Sequence, residues 1–207
     1  YGEALDTLQP ALRLDSQDPL AYQALASVYT SQGKEAEAAQ ASQQAVALHQ
    51  AALANQPADA YDTQLALGDA YVGAGQYEQA VAAYQAAAAL QPDAAAPYRG
   101  LGNAHYWQGD PAQAIADYQQ AAALAPQDPN APLPAGLVQA QQGDLAGAIA
   151  SQEAAARLAT CDPAPYLLLG GLHFQQDDYA QAAAAYESAL ALDPDNLSHY
   201  QLTVEAG

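Results

Sequence analysis

The chain has 207 residues, 51% of them apolar, and four Lys+Arg against 23 Asp+Glu set its formal charge at −19. Four cations are too few for counterion-release binding to nucleic acid, and anionic lipid repels such a surface. No apolar run approaches the roughly 20 residues of a membrane helix, so a soluble globular chain is expected, cytoplasmic or periplasmic.

Residues 1–15 (YGEALDTLQPALRLD) read as the second helix of a partial unit. A longer unit follows over 19–56, opened by the pair Asp18-Pro19 and lengthened by about two helical turns through HQAALANQ. Units at 61–94, 95–128, 129–162 and 163–196 come next, and 197–207 starts a further helix. Each unit reads as two helices. In 61–73, Leu65, Gly68 and Tyr71–Val72 recur at helical spacing until Gly75 breaks the run. In 77–90, Tyr77, Ala80, Val81, Tyr84, Ala87 and Leu90 follow the i, i+3, i+4, i+7 pattern of an amphipathic helix. Asp-Pro pairs at 18–19, 128–129 and 162–163 predict an N-cap followed by proline at the first helical position. Pro57, Pro92, Pro126 and Pro194 are placed to end the second helices. Pro132 and Pro134 fall where a first helix should begin, so that helix is expected to be short and loose, a point for a bend or hinge.

The register carries the assignment. Gly68, Gly102, Gly136 and Gly170 recur every 34 residues; so do Gly75, Gly109, Gly143 and Asp177, and Ala80, Ala114, Ala148 and Ala182. Tyr84, Tyr118 and Tyr186 share a further column in which Gln152 fills the gap, and Gln139 likewise replaces an aromatic residue. In the first unit Gly33 stands 42 residues before Gly75, which accounts for the longer helix. This pattern resembles the tetratricopeptide repeat family, a 34-residue helix–turn–helix unit with small and aromatic residues at fixed offsets. The resemblance covers nearly the whole chain. It implies an all-α, right-handed α-α superhelix, a solenoid of about five and a half to six repeats, forming a single domain over 1–207.

Residues 98–110 (YRGLGNAHYWQGD) gather chemically able side chains, including the only tryptophan. Gly102 and Gly109 belong to repeat columns, and His105 and His173 share a packing column with Tyr29 and Tyr71. Those two histidines lie two whole repeats apart, too far to share a metal whose ligands stand about 2 Å away. No Gly-rich phosphate loop, G-x-S-x-G or Cys–His pairing occurs, so no catalytic residue, cofactor or metal is expected. Cys161, in the turn TCDP, reads as an ordinary exposed thiol. Asp18, Asp93, Asp128, Asp162, Asp193 and Asp195 read mainly as helix caps and solvated turns.

Arg99, Asn103, Tyr106 and Trp107 remain, on one stripe of a first helix. The same stripe carries Asp62, Leu65, Asp69 and Val72 in the preceding unit, and Leu167, Gly171, Phe174 and Gln175 two units on. Variation over an invariant frame suits a binding surface on a scaffold, and the resemblance places this stripe in a concave peptide-binding groove. Two other duties stay open: Arg99 can pair with Asp69, and Trp107 can cover the following turn. Arg99 and Asn103 also look like half of a two-carboxylate clamp for acidic C-termini, but Pro134, Ala164 and Leu168 occupy places where further bases are needed.

The function expected is protein–protein interaction. Tyr106, Trp107, Leu167 and Phe174 would anchor apolar groups, Arg99 and Asn103 would hold backbone or carboxylate, and Asp62 and Asp69 would favour a basic residue. The partner is a peptide or helix of neutral to basic character. Self-association through the terminal helices is the alternative, or a sensor or adaptor arm of a larger protein. The Ala- and Gln-rich style points to a bacterial source. Methionine is absent even at residue 1, so a processed or excised chain is expected.

Overall fold

A computed structural model describes residue 8 and residues 16–55, 60–158 and 161–194. Among these are ten helices: α1 (Pro19–Ser31), α2 (Glu35–Asn55), α3 (Ala60–Gly73), α4 (Tyr77–Leu90), α5 (Ala95–Gln108), α6 (Pro111–Leu124), α7 (Leu133–Gln141), α8 (Leu145–Leu158), α9 (Ala164–Gln175) and α10 (Tyr179–Leu192). The all-α helical-repeat class holds. The segments expected before Asp18 and after residue 196, Pro57 and Asp195 lie outside the described residues.

Local chemistry explains the boundaries. The turn column is left-handed throughout: Gly75, Gly109 and Gly143 have φ between 71° and 84°, and Asp177 follows them at φ 60°. Glycine adopts this conformation without a Cβ penalty, and Asp is one of the few side chains that visits it. The next residue then caps the second helix, Asp110, Asp144 and Asp178 each accepting from the backbone N–H three residues on at 2.9–3.2 Å. Helices α4, α6 and α10 end two residues before Pro92, Pro126 and Pro194, as expected of a residue that disfavours helix before it. Helix α2 runs 21 residues, the expected lengthening.

Two expectations about capping are corrected. Asp18 does cap α1, accepting from Leu20 N at 2.9 Å with Pro19 at the first position. Asp128 caps no helix. Its carboxylate accepts from Asn130 N at 2.9 Å and closes a local turn, and α7 starts only at Leu133. At 162–163 the proline itself holds the N-cap place and α9 starts at Ala164, whose N–H still donates to the Asp162 carboxylate at 2.9 Å. The short first helix is found, α7 having nine residues against 14 in α5. Leu90, read as part of the buried stripe of α4, is 53% exposed, and Ala83 is buried with Ala80, Tyr84 and Ala87.

The chain divides into two compact units, Tyr1–Gln113 and Ala114–Gly207, and α6 spans the division. In the first unit, α2 packs on both α1 and α3, and α4 on both α3 and α5. Its core has two clusters. One joins Ala45, Val46, Leu67, Ala70 and Ala83; the other joins Ala80, Tyr84, Leu101 and Ala104. Alanine at the crossings lets helices approach closely, and tyrosine fills what alanine leaves. Gly68 and Gly100 form two walls against the Tyr84 ring: a Cβ on Gly68 would stand 2.5 Å from Tyr84 Cε1, and one on Gly100 would also overlap the ring. In the second unit, α8 packs on α7 and α9, and α9 on α10. Gly170 faces the Tyr186 ring as Gly68 faces Tyr84.

Candidate functional site

The first helices of the first unit present the residues that carry the candidate site. On α5, Leu101, Gly102 and Ala104 are buried while Arg99 and Asn103 are exposed. Trp107 is 60% exposed, its ring edge-on to Tyr106 with centroids 5.4 Å apart and planes 75° apart. A large aromatic surface therefore lies open on the same helix as Arg99.

On α3 the stripe divides. Asp62 and Asp69 are exposed, whereas Leu65 is half-buried against the Tyr84 cluster, as is Val72. Asp69 is held by Tyr84, whose hydroxyl donates to Asp69 Oδ1 at 2.6 Å. Burial first, then the Asp69 carboxylate, push the Tyr84 hydroxyl far above its ordinary range, with Arg99 acting the other way. The phenol stays protonated and keeps donating, so it holds Asp69 Oδ1 as an oriented acceptor.

In the second unit, Leu167 and Phe174 are half-buried on α9. Phe174 meets Tyr179 edge-on at 5.5 Å, so part of its face is already taken. His105 and His173 are half-buried in their column. Cys161 is exposed.

Sequence reasoning missed a cleft between α1 and α3. It has a volume of about 350 Å³ and is lined by Gln23, Ser27 and Thr30 from α1, by Ser42 from α2, and by Asp69, Val72 and Gly73 from α3. A signal was available: Gln23, Ser27 and Thr30 stand 42 residues before Leu65, Asp69 and Val72. That is the offset already set by Gly33 and Gly75, and it places them on the same stripe. Among the described residues, no cluster of His, Cys, Asp and Glu is arranged to hold a metal ion, and no helix is long and apolar enough to cross a membrane.

Sequence models described as tetratricopeptide repeat match residues 20–58, 65–132, 108–165 and 163–196. The chain belongs to the tetratricopeptide repeat family. No curated protein matches the sequence. Among solved structures, MamA is similar at a TM-score of 0.66 and 21% identity, covering 84% of this chain and 97% of its own. YrrB, a TPR protein with an unusual peptide-binding site, is similar at 0.57 and 18%, covering 94% and 96%. A thermophilic TPR protein of Thermus thermophilus is similar at 0.57 and 22%, covering 91% and 98%. These likenesses concern the fold.

Proposed function

We propose that the chain is a protein-interaction scaffold whose first helices bind a peptide or a partner helix. One observation carries the reading: Leu101, Gly102 and Ala104 of α5 are buried, while of the residues that vary between units Arg99, Asn103 and Trp107 stand exposed on its other face and Tyr106 is half-buried. Tryptophan, tyrosine and arginine are the residue types that dominate binding energy at interfaces. Here Arg99, Tyr106 and Trp107 share one face with Asn103, and Asp62 and Asp69 supply the acidic side on α3. Tyr106 and Trp107 would hold an apolar side chain, Arg99 and Asn103 backbone carbonyls or a carboxylate. Leu167 and Phe174 would give α9 an apolar contact of its own. The existence of a peptide-binding site in YrrB, a protein of similar fold, supports the class of function.

The charge of −19 favours a neutral to basic partner, with association faster at low salt. Trp107, the single tryptophan, reports the site directly. Neutral-aromatic, basic and acidic peptides titrated at low and moderate salt should give a saturable emission change for the first two classes. Arg99→Ala and Tyr106→Ala should each weaken it. Emission unmoved by every peptide, with light scattering showing an oligomer, would replace this reading with self-association.

A further inference from the structure

The α1–α3 cleft is lined by one carboxylate, by hydroxyl and amide groups, and by no lysine or arginine. Gln23 uses its amide Nε2 to donate to the Ala66 carbonyl at 2.8 Å, leaving Oε1 as its remaining polar atom. Thr30 donates its hydroxyl to the Ala26 carbonyl at 3.0 Å, so Oγ1 is left with acceptor capacity. Asp69 accepts from Tyr84 through Oδ1, and its second carboxylate oxygen remains an acceptor. Three side chains of the lining thus keep acceptor capacity, beside the second amide N–H of Gln23 and the hydroxyls of Ser27 and Ser42, which can donate or accept. Between them, Ala26, Ala70 and Val72 give an apolar wall. A cleft of about 350 Å³ is at the small end of ligand sites, which run from about 300 to 1,000 Å³.

An apolar wall topped by acceptors and one carboxylate matches a flexible methylene stem ending in a cation that only donates. We propose that this cleft binds a lysine side chain of the partner segment, the stem lying along Ala26, Ala70 and Val72 and the ammonium reaching Asp69, Gln23 and Thr30. A second carboxylate would meet the negative charge of Asp69 there and be disfavoured. The chain's own surplus of 23 acids over four bases draws such a partner in. The inference rests on the scaffold reading and gives that reading a specificity: a basic residue docked at α1–α3, beside the aromatic contact on α5.

The test uses the whole chain and two blocked amino acids, N-acetyl-lysine methylamide and N-acetyl-norleucine methylamide, which differ by the ammonium. Methyl resonances of Ala26, Thr30, Ala70 and Val72 are followed by NMR at low salt. Lysine should shift them saturably, with norleucine at least about tenfold weaker, as expected where a charged hydrogen bond is lost. Asp69→Asn should remove that preference. Because Asp69 also orients Tyr84, a second variant fills the cleft from an exposed position: Ser27→Leu should abolish the lysine shifts while leaving the circular dichroism unchanged. Equal response to both compounds, or lysine shifts that survive Ser27→Leu, overturns the proposal. The scaffold reading is scored separately by Trp107 emission with peptides. Peptide binding without lysine preference removes the cleft assignment alone; lysine shifts without any peptide response remove the groove alone.

Discussion

The pair α3–α4 in the first unit and the pair α7–α8 in the second fill the same repeat columns in opposite ways. Both keep the frame: Gly68 and Gly136 at the crossing, Gly75 and Gly143 left-handed at the turn, Ala80 and Ala148 fully buried. They differ where volume is supplied. The first pair inserts the Tyr84 ring, whose hydroxyl reaches Asp69. The second buries Gln152 at 1% exposure, its Oε1 without a hydrogen-bond partner, and Gln139 at 7%, within hydrogen-bond reach of Ser151. The frame columns are set by backbone geometry and tolerate little change. The filling columns need only bulk, and when a polar side chain supplies it, a desolvated amide must be satisfied or costs free energy.

The sharpest way to break the comparison is to empty the first filling and make the second apolar. Tyr84→Ala should lower stability by about 3–5 kcal/mol, the range for removing a large buried aromatic side chain, measured by denaturant unfolding. Gln152→Leu should move the other way, by up to about 1–3 kcal/mol, because it removes a buried acceptor with no partner. Loss of stability in Gln152→Leu would show that the amide is satisfied and the pairs are equivalent.

Next in size are the crossings. Gly68→Ala presses a Cβ into a ring that is walled again by Gly100, and should cost about 1–3 kcal/mol as overpacking. Gly136→Ala meets Ser151 Cβ at 2.9 Å and the flexible end of Gln152 at 3.0 Å; it should cost less, as a midpoint comparison of the two variants would show.

A pH scan separates the first unit further. His49 on α2 is 4% exposed with no partner for Nε2, and burial lowers its pKa below 6.5 against the opposing pull of Asp69 and Asp18. The unfolded chain therefore binds the proton more readily, so stability is full above about pH 6.5 and is lost as pH falls below it. His49→Gln should flatten that part of the curve. The smallest effect belongs to the turns. Gly75→Ala should cost about 1 kcal/mol for a left-handed residue. Asp177→Gly should change stability by less, since relief of φ 60° is offset by loss of the 2.8 Å bond from Tyr179.

Most of the helix boundaries were legible because a fixed period repeats each signal. Asp177 could be placed in a glycine column before its backbone was known, and Gln139 and Gln152 stood out as replacements. Asp128 misled because a cap and a local turn present the same carboxylate to the same backbone N–H; only the following residues, with Pro132 and Pro134, decide between them. The second wall of the Tyr84 slot was hidden for another reason. Gly100 belongs to no glycine column, since Ala66, Pro134 and Leu168 hold its place elsewhere, and its contact is with a ring from the preceding repeat. On the candidate stripe the sequence supplied the face, but not that Leu65 turns toward the core or that α1 and α3 leave a cleft.

That doubly walled ring also governs how the first unit comes apart. Tyr84 is clasped by α3 through Gly68 and by α5 through Gly100, so neither helix can leave without uncovering the largest side chain of the cluster. Fraying of one repeat is thereby coupled to its neighbour, as expected where solenoid stability resides in the interfaces between repeats. Helices α3, α4 and α5 should consequently exchange their amide hydrogens as one cooperative block, opening together or not at all.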